Sequence, residues 1–231
     1  MSAARGAARV PGRAGPVWSR RVGWFLGHVV WNTEVVGAEH LPETGPVVLA
    51  ANHVSVIDGP LLHGVVPRGT HILVKQEVFH GPIGMLLRAA GQIPVDRSSG
   101  RSALEAALGV LRRGGAVGIF PEGNRGRGDV SGVRAGVAWL AVHGDAPVVP
   151  VAILGSRRTG EPLGHVPGAR RRLVVELGAP VQLDLPDDTP RRMAVSATAE
   201  AVADAMARHV QDAARRHGMP LPEDDPRATS D

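Results

Sequence analysis

The stretch PVVLAANHVSVIDGP, residues 46–60, decides the fold because it joins an apolar run to a histidine and an aspartate five positions apart. The run does not alternate apolar and polar residues, which is typical of a strand covered on both faces of a sheet. Such a strand needs neither His53 nor Asp58, and a carboxylate at its end needs a partner or water. The stretch is therefore either a helix cap beside a bystander histidine or half of a catalytic device.

Similar apolar runs recur along the chain and alternate with helical patterns. The runs are PVVLAAN, HILVK, QIPV, AVGIF, PVVPVAIL and RLVVEL. This alternation predicts an α/β fold, in which a single layered domain has a central, mostly parallel sheet flanked by helices. The proline within PVVPVAIL indicates a strand at the sheet edge or with an irregular end.

Two of the helical patterns carry end signals. The segment SALEAALGVLRRGG has Ser102 as a candidate cap and two glycines that end the helix. Residues 189–217 predict a C-terminal helix with Thr189 as the cap before a proline.

The ends of the chain differ in composition from its middle. We expect residues 1–16 to be a disordered basic arm, 17–33 an amphipathic helical segment, 34–218 the main domain and 219–231 a polar tail. Three of the four tryptophans fall in 17–33 beside Arg20 and Arg21, a combination that suits a lipid–water interface; the alternative is a helix that packs on its own domain. Its longest uncharged stretch is too short to span a bilayer, and it lacks the features of a signal peptide.

Composition excludes several classes of function. The chain has 231 residues, a net charge of +4 and no cysteine, so disulfides, thiolate catalysis and cysteine-based metal sites are excluded. The positive charge favours an acidic partner such as a phospholipid, a phosphorylated substrate or a nucleic acid. Only 3% of the residues are aromatic and no nucleic-acid-binding motif is present, so we expect no nucleic-acid partner.

His53 and Asp58 are candidates for acid–base chemistry. An imidazole can take up a proton near neutral pH, and a carboxylate bonded to its other nitrogen fixes the tautomer and supports the imidazolium. Asp58 is also a good helix N-cap, because Gly59 and Pro60 follow it. The two interpretations stay open on this stretch alone.

Two later segments place charged residues after apolar strands. GQIPVDR, residues 91–97, delivers Asp96 and Arg97 to a strand end, where ligands bind in α/β sheets; the alternative is a surface ion pair. IFPEGNRGRG, residues 119–128, contains glycines that let backbone N–H groups approach an anion and Arg125, which can fork onto a phosphate. Glu122 in this segment could orient an arginine or accept a substrate hydroxyl, whereas the alternative is a polar turn.

Taken in order, NHVSVID, GQIPVDR, FPEGNRG and VVPVAI resemble the four motif blocks of the glycerolipid acyltransferase family. The best-known members of this family are the 1-acyl-sn-glycerol-3-phosphate acyltransferases. The resemblance covers about residues 45–155. Asn124 and Gly126 stand where the third block more commonly has threonine and serine.

The resemblance implies an O-acyltransferase of phospholipid biosynthesis that moves a fatty acyl group from a thioester to 1-acyl-sn-glycerol-3-phosphate and so makes phosphatidate. It implies that His53 is the general base and that Asp58 orients it. The residues that would hold the phosphorylated acceptor are Arg97, Glu122, Gly123, Arg125 and, as a weaker candidate, Lys75.

The same resemblance implies the partners and the location of the chain. The acyl donor would be acyl-coenzyme A or an acyl carrier protein thioester, acting as co-substrate without a metal or other cofactor. The acceptor would be lysophosphatidate or a related phosphorylated lipid. The protein would be membrane-associated, bound peripherally to an anionic surface on the cytoplasmic face of the cell membrane.

Two alternatives remain at this stage. One is the same chemistry on another acceptor, such as glycerol 3-phosphate, another lysophospholipid or a glycolipid. The other is a non-catalytic module that binds anionic lipids, in which His53 and Asp58 form only a cap.

Overall fold

The strands lie side by side in one sheet. The computed structural model describes residues 9–96, 100–123, 125–130, 135–182, 186 and 188–224. Within these residues the strands are Asn32–Val36 (β1), Val47–Ala51 (β2), Thr70–Lys75 (β3), Ile93–Val95 (β4), Ala116–Ile119 (β5), Val148–Leu154 (β6) and Arg172–Leu177 (β7). The α-helices are Ala14–Phe25 (α1), Asp58–Val65 (α2), Gly81–Ala89 (α3), Arg101–Arg112 (α4), Gly136–Gly144 (α5) and Arg191–His217 (α6).

The strand order is β1-β7-β6-β2-β5-β3-β4. Five adjacent strands, from β6 to β4, run parallel, whereas β7 is antiparallel to β6 and β1 pairs in parallel with β7. The predicted α/β architecture with a mostly parallel sheet is confirmed. Because five strands point the same way, their carboxyl ends lie on the same side of the sheet, along a line across the strands.

Strand β2 lies at the centre of the sheet and is covered on both faces, which explains its continuous apolar run. Val48 and Ala50 belong to a core that includes residues of α4, α5 and α6. Val47, Leu49 and Ala51 belong to a second core, on the other face, that includes residues of α2. All five side chains are fully buried.

The C-terminal helix is present as predicted, but both predicted helix caps are wrong. Helix α6 begins at Arg191 after Pro190, and no side chain caps it. Ser102 lies inside α4, because the helix already begins at Arg101. Burial stabilises both helices instead, and Met206 of α6 is fully buried in the core.

Strand β1 was absent from the predicted strands. Its run NTEVV is only partly buried, and it is ordered by parallel pairing with β7, where Asn32 lies opposite Arg172. A partner so distant in sequence leaves no local signal.

Of the two alternatives predicted for the proline-containing strand, a sheet edge or an irregular end, the edge is wrong, because β6 lies between β7 and β2. The carbonyl of Pro150 accepts a hydrogen bond from the N–H of Gly178, just after β7 ends. In a strand the N and O atoms of a residue point to the same side, so the proline nitrogen faces the point where the β7 ladder stops. The missing N–H therefore falls at the end of the β6–β7 ladder, beyond its paired residues Val151–Leu154 and Val174–Leu177.

Helix α1 packs closely on the domain. It begins at Ala14, three residues before the boundary expected at 17. A Cβ at Gly15 would lie 2.7 Å from the carbonyl oxygen of Ala89, and a Cβ at Gly23 would lie 2.5 Å from Cα of Gly64 in α2. The absence of these side chains lets α1 approach α3 and α2 at backbone distance.

The outer face of α1 carries large exposed apolar side chains. They are Val17, Trp18, Val22, Trp24 and Phe25. The segment thus has one face packed on its own domain and another that is apolar and exposed. Among the described helices, none combines the length and the apolar character required to cross a membrane. Residues 1–8 of the expected arm lie outside the described residues.

The first part of the expected polar tail is docked on the domain. Met219 and Leu221 pack against the core shared with α6, and the N–H of Glu223 donates to Oγ1 of Thr159. The sequence did not predict this docking, because two apolar side chains among prolines and acids give no periodic signal. Residues 225–231 lie outside the described residues.

Candidate active site

The carboxyl ends of neighbouring strands bring together most of the predicted site residues. His53 follows β2, Glu122 follows β5, Lys75 ends β3 and Asp96 follows β4. Because β2 and β5 are adjacent, His53 and Glu122 are in contact. Lys75 and Asp96 lie further along the line of carboxyl ends, at β3 and β4. Arg97 lies outside the described residues.

His53 and Asp58 form a hydrogen-bonded pair. The distance from Nδ1 of His53 to Oδ2 of Asp58 is 2.9 Å, and the side chains are 17% and 0% exposed. The same carboxylate oxygen accepts the backbone N–H groups of Val54 at 2.8 Å and Ser55 at 2.7 Å. Because the carboxylate accepts, Nδ1 carries the proton and Nε2 carries the imidazole lone pair.

The alternative in which Asp58 serves as a helix cap is not what the geometry shows. Asp58 is the first residue of α2, and its carboxylate turns back to accept from the preceding residues and from His53. No side chain caps this helix. The five-residue spacing therefore forms a tight turn that orients an imidazole.

Phe120 supports the imidazole from one side. The two rings are stacked, with centroids 4.2 Å apart and planes inclined by 24°. Phe120 directly follows β5, so the adjacent strand sets the ring plane of His53. Phe120 is not among the site residues predicted from the sequence, although it begins the third motif block.

Glu122 and Gly123 form the turn after β5. Oε1 of Glu122 accepts the backbone N–H of His53 at 3.0 Å, which the sequence did not predict. Gly123 has φ +71°, a left-handed conformation that favours glycine. Its N–H donates to the carbonyl of Phe120, so this residue shapes the turn.

Two further glycines bring the third motif block against the end of β2. The N–H of Gly126 donates to the carbonyl of His53 at 3.0 Å. Gly128 has φ +70°, and a Cβ there would collide with Cγ1 of Val54 and lie 3.0 Å from Nδ2 of Asn52. Only glycine lets the loop lie this close to His53.

Asn52 is a site residue that sequence analysis missed. Its amide is fully buried, donates to the carbonyl of Ile153 at 3.1 Å and accepts the N–H of Ile153 at 2.7 Å. It thereby continues the pairing of β2 with β6 just before the His53–Asp58 pair. Its position beside His53 in the first motif block was the available signal.

The segment after β6 covers the loops of the site. Oγ of Ser55 donates to the carbonyl of His165 at 3.3 Å, and Nη1 of Arg125 donates to the carbonyl of Leu163 at 3.1 Å. Glu161 stabilises this segment through two hydrogen bonds from Arg171, which lower the pKa of its carboxyl group. The side chain of Arg125 is thus held by a neighbouring chain segment.

The arrangement has the parts of a general base. A histidine with a fixed tautomer lies at the carboxyl end of the central strand, beside a glycine-rich loop that carries an arginine. Elsewhere in the described residues, as here, no three His, Asp or Glu side chains are grouped to hold a metal ion.

Comparison with known proteins identifies relatives of this chain. A family model described as Acyltransferase matches residues 32–154, which is more than half of the chain and includes all four motif segments. The chain is 35% identical over 125 residues to a 1-acyl-sn-glycerol-3-phosphate acyltransferase of Bacillus subtilis, covering 53% of this chain and 62% of the relative. It is 32% identical over 140 residues to the human 1-acyl-sn-glycerol-3-phosphate acyltransferase beta, covering 56% and 50%.

The matched part spans about half to three-fifths of the length of these curated relatives. Among solved structures, the fold resembles that of the 1-acyl-sn-glycerophosphate acyltransferase PlsC from Thermotoga maritima. The TM-score is 0.65 at 22% identity, covering 86% of this chain and 79% of the other. At this identity the likeness establishes the fold alone.

Proposed function

The chain belongs to the acyltransferase family, and on that premise we propose that it is an O-acyltransferase that converts 1-acyl-sn-glycerol-3-phosphate to phosphatidate. The observation that carries the proposal is the pairing of His53 with Asp58, which fixes the tautomer of a base at the carboxyl end of β2. The contact of this pair with Glu122 and Gly126 of the third motif block supports it.

In the proposed reaction, Nε2 of His53 takes the proton of the acceptor hydroxyl while the hydroxyl oxygen attacks the carbonyl carbon of the thioester. Asp58 stabilises the imidazolium that forms. The tetrahedral intermediate then expels the thiolate, which receives the proton from His53, so that the ester and the free thiol are the products. General-base catalysis of this kind contributes roughly 10²–10⁴ in rate.

The phosphorylated acceptor would be held by cationic and polar groups at the carboxyl ends of the neighbouring strands. Arg125 lies beside Gly126, whose N–H bonds to His53, so a phosphate on its guanidinium would lie near the base. Glu122 and Gly123 would shape this loop. Arg97 and Lys75 complete the proposed set, since they follow and end the two strands beyond β5.

The donor would be a thioester of coenzyme A or of an acyl carrier protein. A thioester is already activated toward attack, and His53 supplies the base, so the proposal includes no metal and no other cofactor. Asn124 and Gly126 differ from the residues most common in the third block, so the acceptor class is tested with a panel of acceptors.

We also place the enzyme peripherally on an anionic membrane surface, at the cytoplasmic face. Trp24 and Phe25 of α1 are 48% and 51% exposed, and Arg21 lies on the same helix. Aromatic and cationic side chains together favour the lipid–water interface. Replacing both aromatics by serine should reduce flotation with anionic liposomes. The matched control is Val166→Ser, a similarly exposed residue outside α1; equal flotation of both variants would contradict the assignment.

The deciding experiment measures thiol release from acyl-coenzyme A in the presence of lysophosphatidate. Acceptor-dependent release should disappear in His53→Ala and persist in His143→Ala. His143 lies at the end of α5, which leads into the amino end of β6, away from the carboxyl ends that form the site. Undiminished turnover by a folded His53→Ala variant would refute the base assignment.

An acceptor panel and an acyl carrier protein donor complete the test. A different acceptor that turned over fastest would replace lysophosphatidate as the substrate. Liposome binding without release from either donor would favour the non-catalytic lipid-binding module.

A further inference from the structure

Arg157 is a fully buried cation outside the predicted site. It follows β6, and its side chain has no exposed surface. Nη2 donates to the carbonyl of Gly126 at 3.1 Å, and Nη1 donates to the carbonyl of Glu161 at 3.0 Å. The guanidinium therefore joins the third motif block to the segment that covers the site.

The counter-charge of Arg157 comes from the C-terminal segment. Nη1 of Arg157 lies 3.0 and 3.1 Å from the two carboxylate oxygens of Asp224, and Nη2 donates to the backbone carbonyl of Asp224 at 2.9 Å. The docking of Met219 and Leu221 on the core holds this segment in place. Asp224 is thus the acidic partner of a buried guanidinium.

The contact with Gly126 connects this ion pair to the site. Gly126 follows Arg125, and its own N–H donates to the carbonyl of His53. Its carbonyl is held by Arg157, so both sides of this residue are fixed. Arg125 is held in turn by the carbonyl of Leu163, in the segment that Arg157 also contacts through Glu161.

We infer that Arg157 is a positioning residue for the phosphorylated acceptor, and that Asp224 holds Arg157 in place. This inference rests on the proposed function, because it assigns Arg125 to the acceptor phosphate. The imidazole of His53 has separate support from Asp58 and Phe120. Loss of the Arg157 contact therefore acts on acceptor binding more than on proton transfer.

The first test is Asp224→Asn, which leaves the buried guanidinium without its counter-charge. Loss of a charge-assisted contact predicts a rise of about tenfold in KM for lysophosphatidate, with kcat within about twofold. The matched control is Glu105→Gln, which removes the exposed Arg101–Glu105 ion pair and should change neither constant.

The second test combines Asp224→Asn with Arg157→Met, which replaces the buried cation by an apolar side chain of similar length. Such a replacement of a buried ion pair is often tolerated in folding. If Asp224 acts through Arg157, the double variant has the same KM as Arg157→Met alone, so the two effects are not additive. Additive effects would overturn the inference, as would an unchanged KM or a fall in kcat alone.

Hydrogen exchange of the Gly126 amide provides a readout that needs no turnover. It should be faster in Asp224→Asn than in the Glu105→Gln control, without faster exchange in the central strand β2. A wild-type protein that turns over no acceptor would refute the proposed function, and this exchange measurement would still decide whether Asp224 and Arg157 hold the loop. Unchanged exchange at Gly126 would refute the positioning role by itself.

Discussion

The backbone N–H of His53 donates a hydrogen bond to Oε1 of Glu122 across 3.0 Å, so the candidate base and the third motif block are directly joined. The two residues lie 69 positions apart in the sequence and follow the adjacent strands β2 and β5. The reverse link runs from the N–H of Gly126 to the carbonyl of His53. The base and the proposed acceptor loop therefore form one connected unit.

Asp58→Asn should lower kcat by about 10²–10⁴, with KM within about twofold. The carboxylate accepts from Nδ1 of His53 and from two backbone N–H groups. An amide cannot stabilise the imidazolium as an anion does, and it can present its NH₂ group to the ring. Steady-state kinetics of the folded variant check this, and a kcat within about threefold of wild type would contradict it.

Asn52→Ala should lower the free energy of unfolding by about 2 kcal/mol, because it leaves both backbone groups of Ile153 without their partner. Urea unfolding measures the change. Asn32→Ala is the control, since Asn32 is an exposed residue of the edge strand β1. Equal stability of the two variants would show that the Asn52 bridge does not hold β2 to β6.

Gly64→Ala should displace α1 from α2. A Cβ at this position would collide with the backbone of Gly23, and forced overpacking typically costs about 1–3 kcal/mol. Limited proteolysis within α1 and thermal unfolding measure the effect. Gly168→Ala is the control, because a Cβ there meets nothing within 4 Å. A Gly64→Ala protein as stable as the control would mean that the helices can separate without loss.

The unfolding free energy should fall with acidification because of His63. Burial lowers its pKa, the carbonyl of Thr70 opposes this shift, and the charges of His71 and Arg20 reinforce it. The unfolded chain then binds the proton more readily than the folded chain. The stabilisation is complete above about pH 6.5 and is lost as the pH falls below that value.

The test is His63→Asn, in which the amide can still donate to the carbonyl of Thr70 as Nδ1 does in the wild type. The variant should lose less unfolding free energy than wild type between pH 7 and pH 5, by up to about 1.4 kcal/mol per pH unit. Denaturant unfolding across this range measures the slope. Parallel pH profiles for the two proteins would contradict the assignment.

Much of the site was predictable because it is local. Asp58 lies five residues after His53, so one turn brings their side chains together. Glu122, Gly123 and Arg125 follow an apolar run that could be recognised as a strand. The strand ends could be read one by one, because a buried strand needs a continuous apolar sequence.

Other features depend on contacts between distant segments. Strand β1 is ordered by β7, Pro150 is tolerated because the β7 ladder stops beside it, and Asn52 bridges to Ile153. Arg157 reads as one arginine among many until the fold brings Gly126 and Asp224 to it. None of these partners lies within a helical turn or a tight turn of the residue that it contacts.

The sequence by itself determined the α/β class, the positions of the buried strands and the short spacing that lets Asp58 reach His53, because apolar runs and short turns act over a few residues. The tertiary structure alone decided the strand order, the contact of His53 with Glu122 and the burial of Arg157 against Asp224. These depend on which strands become neighbours and on which charges lose their water. Such free energies arise only when segments far apart in the chain pack together.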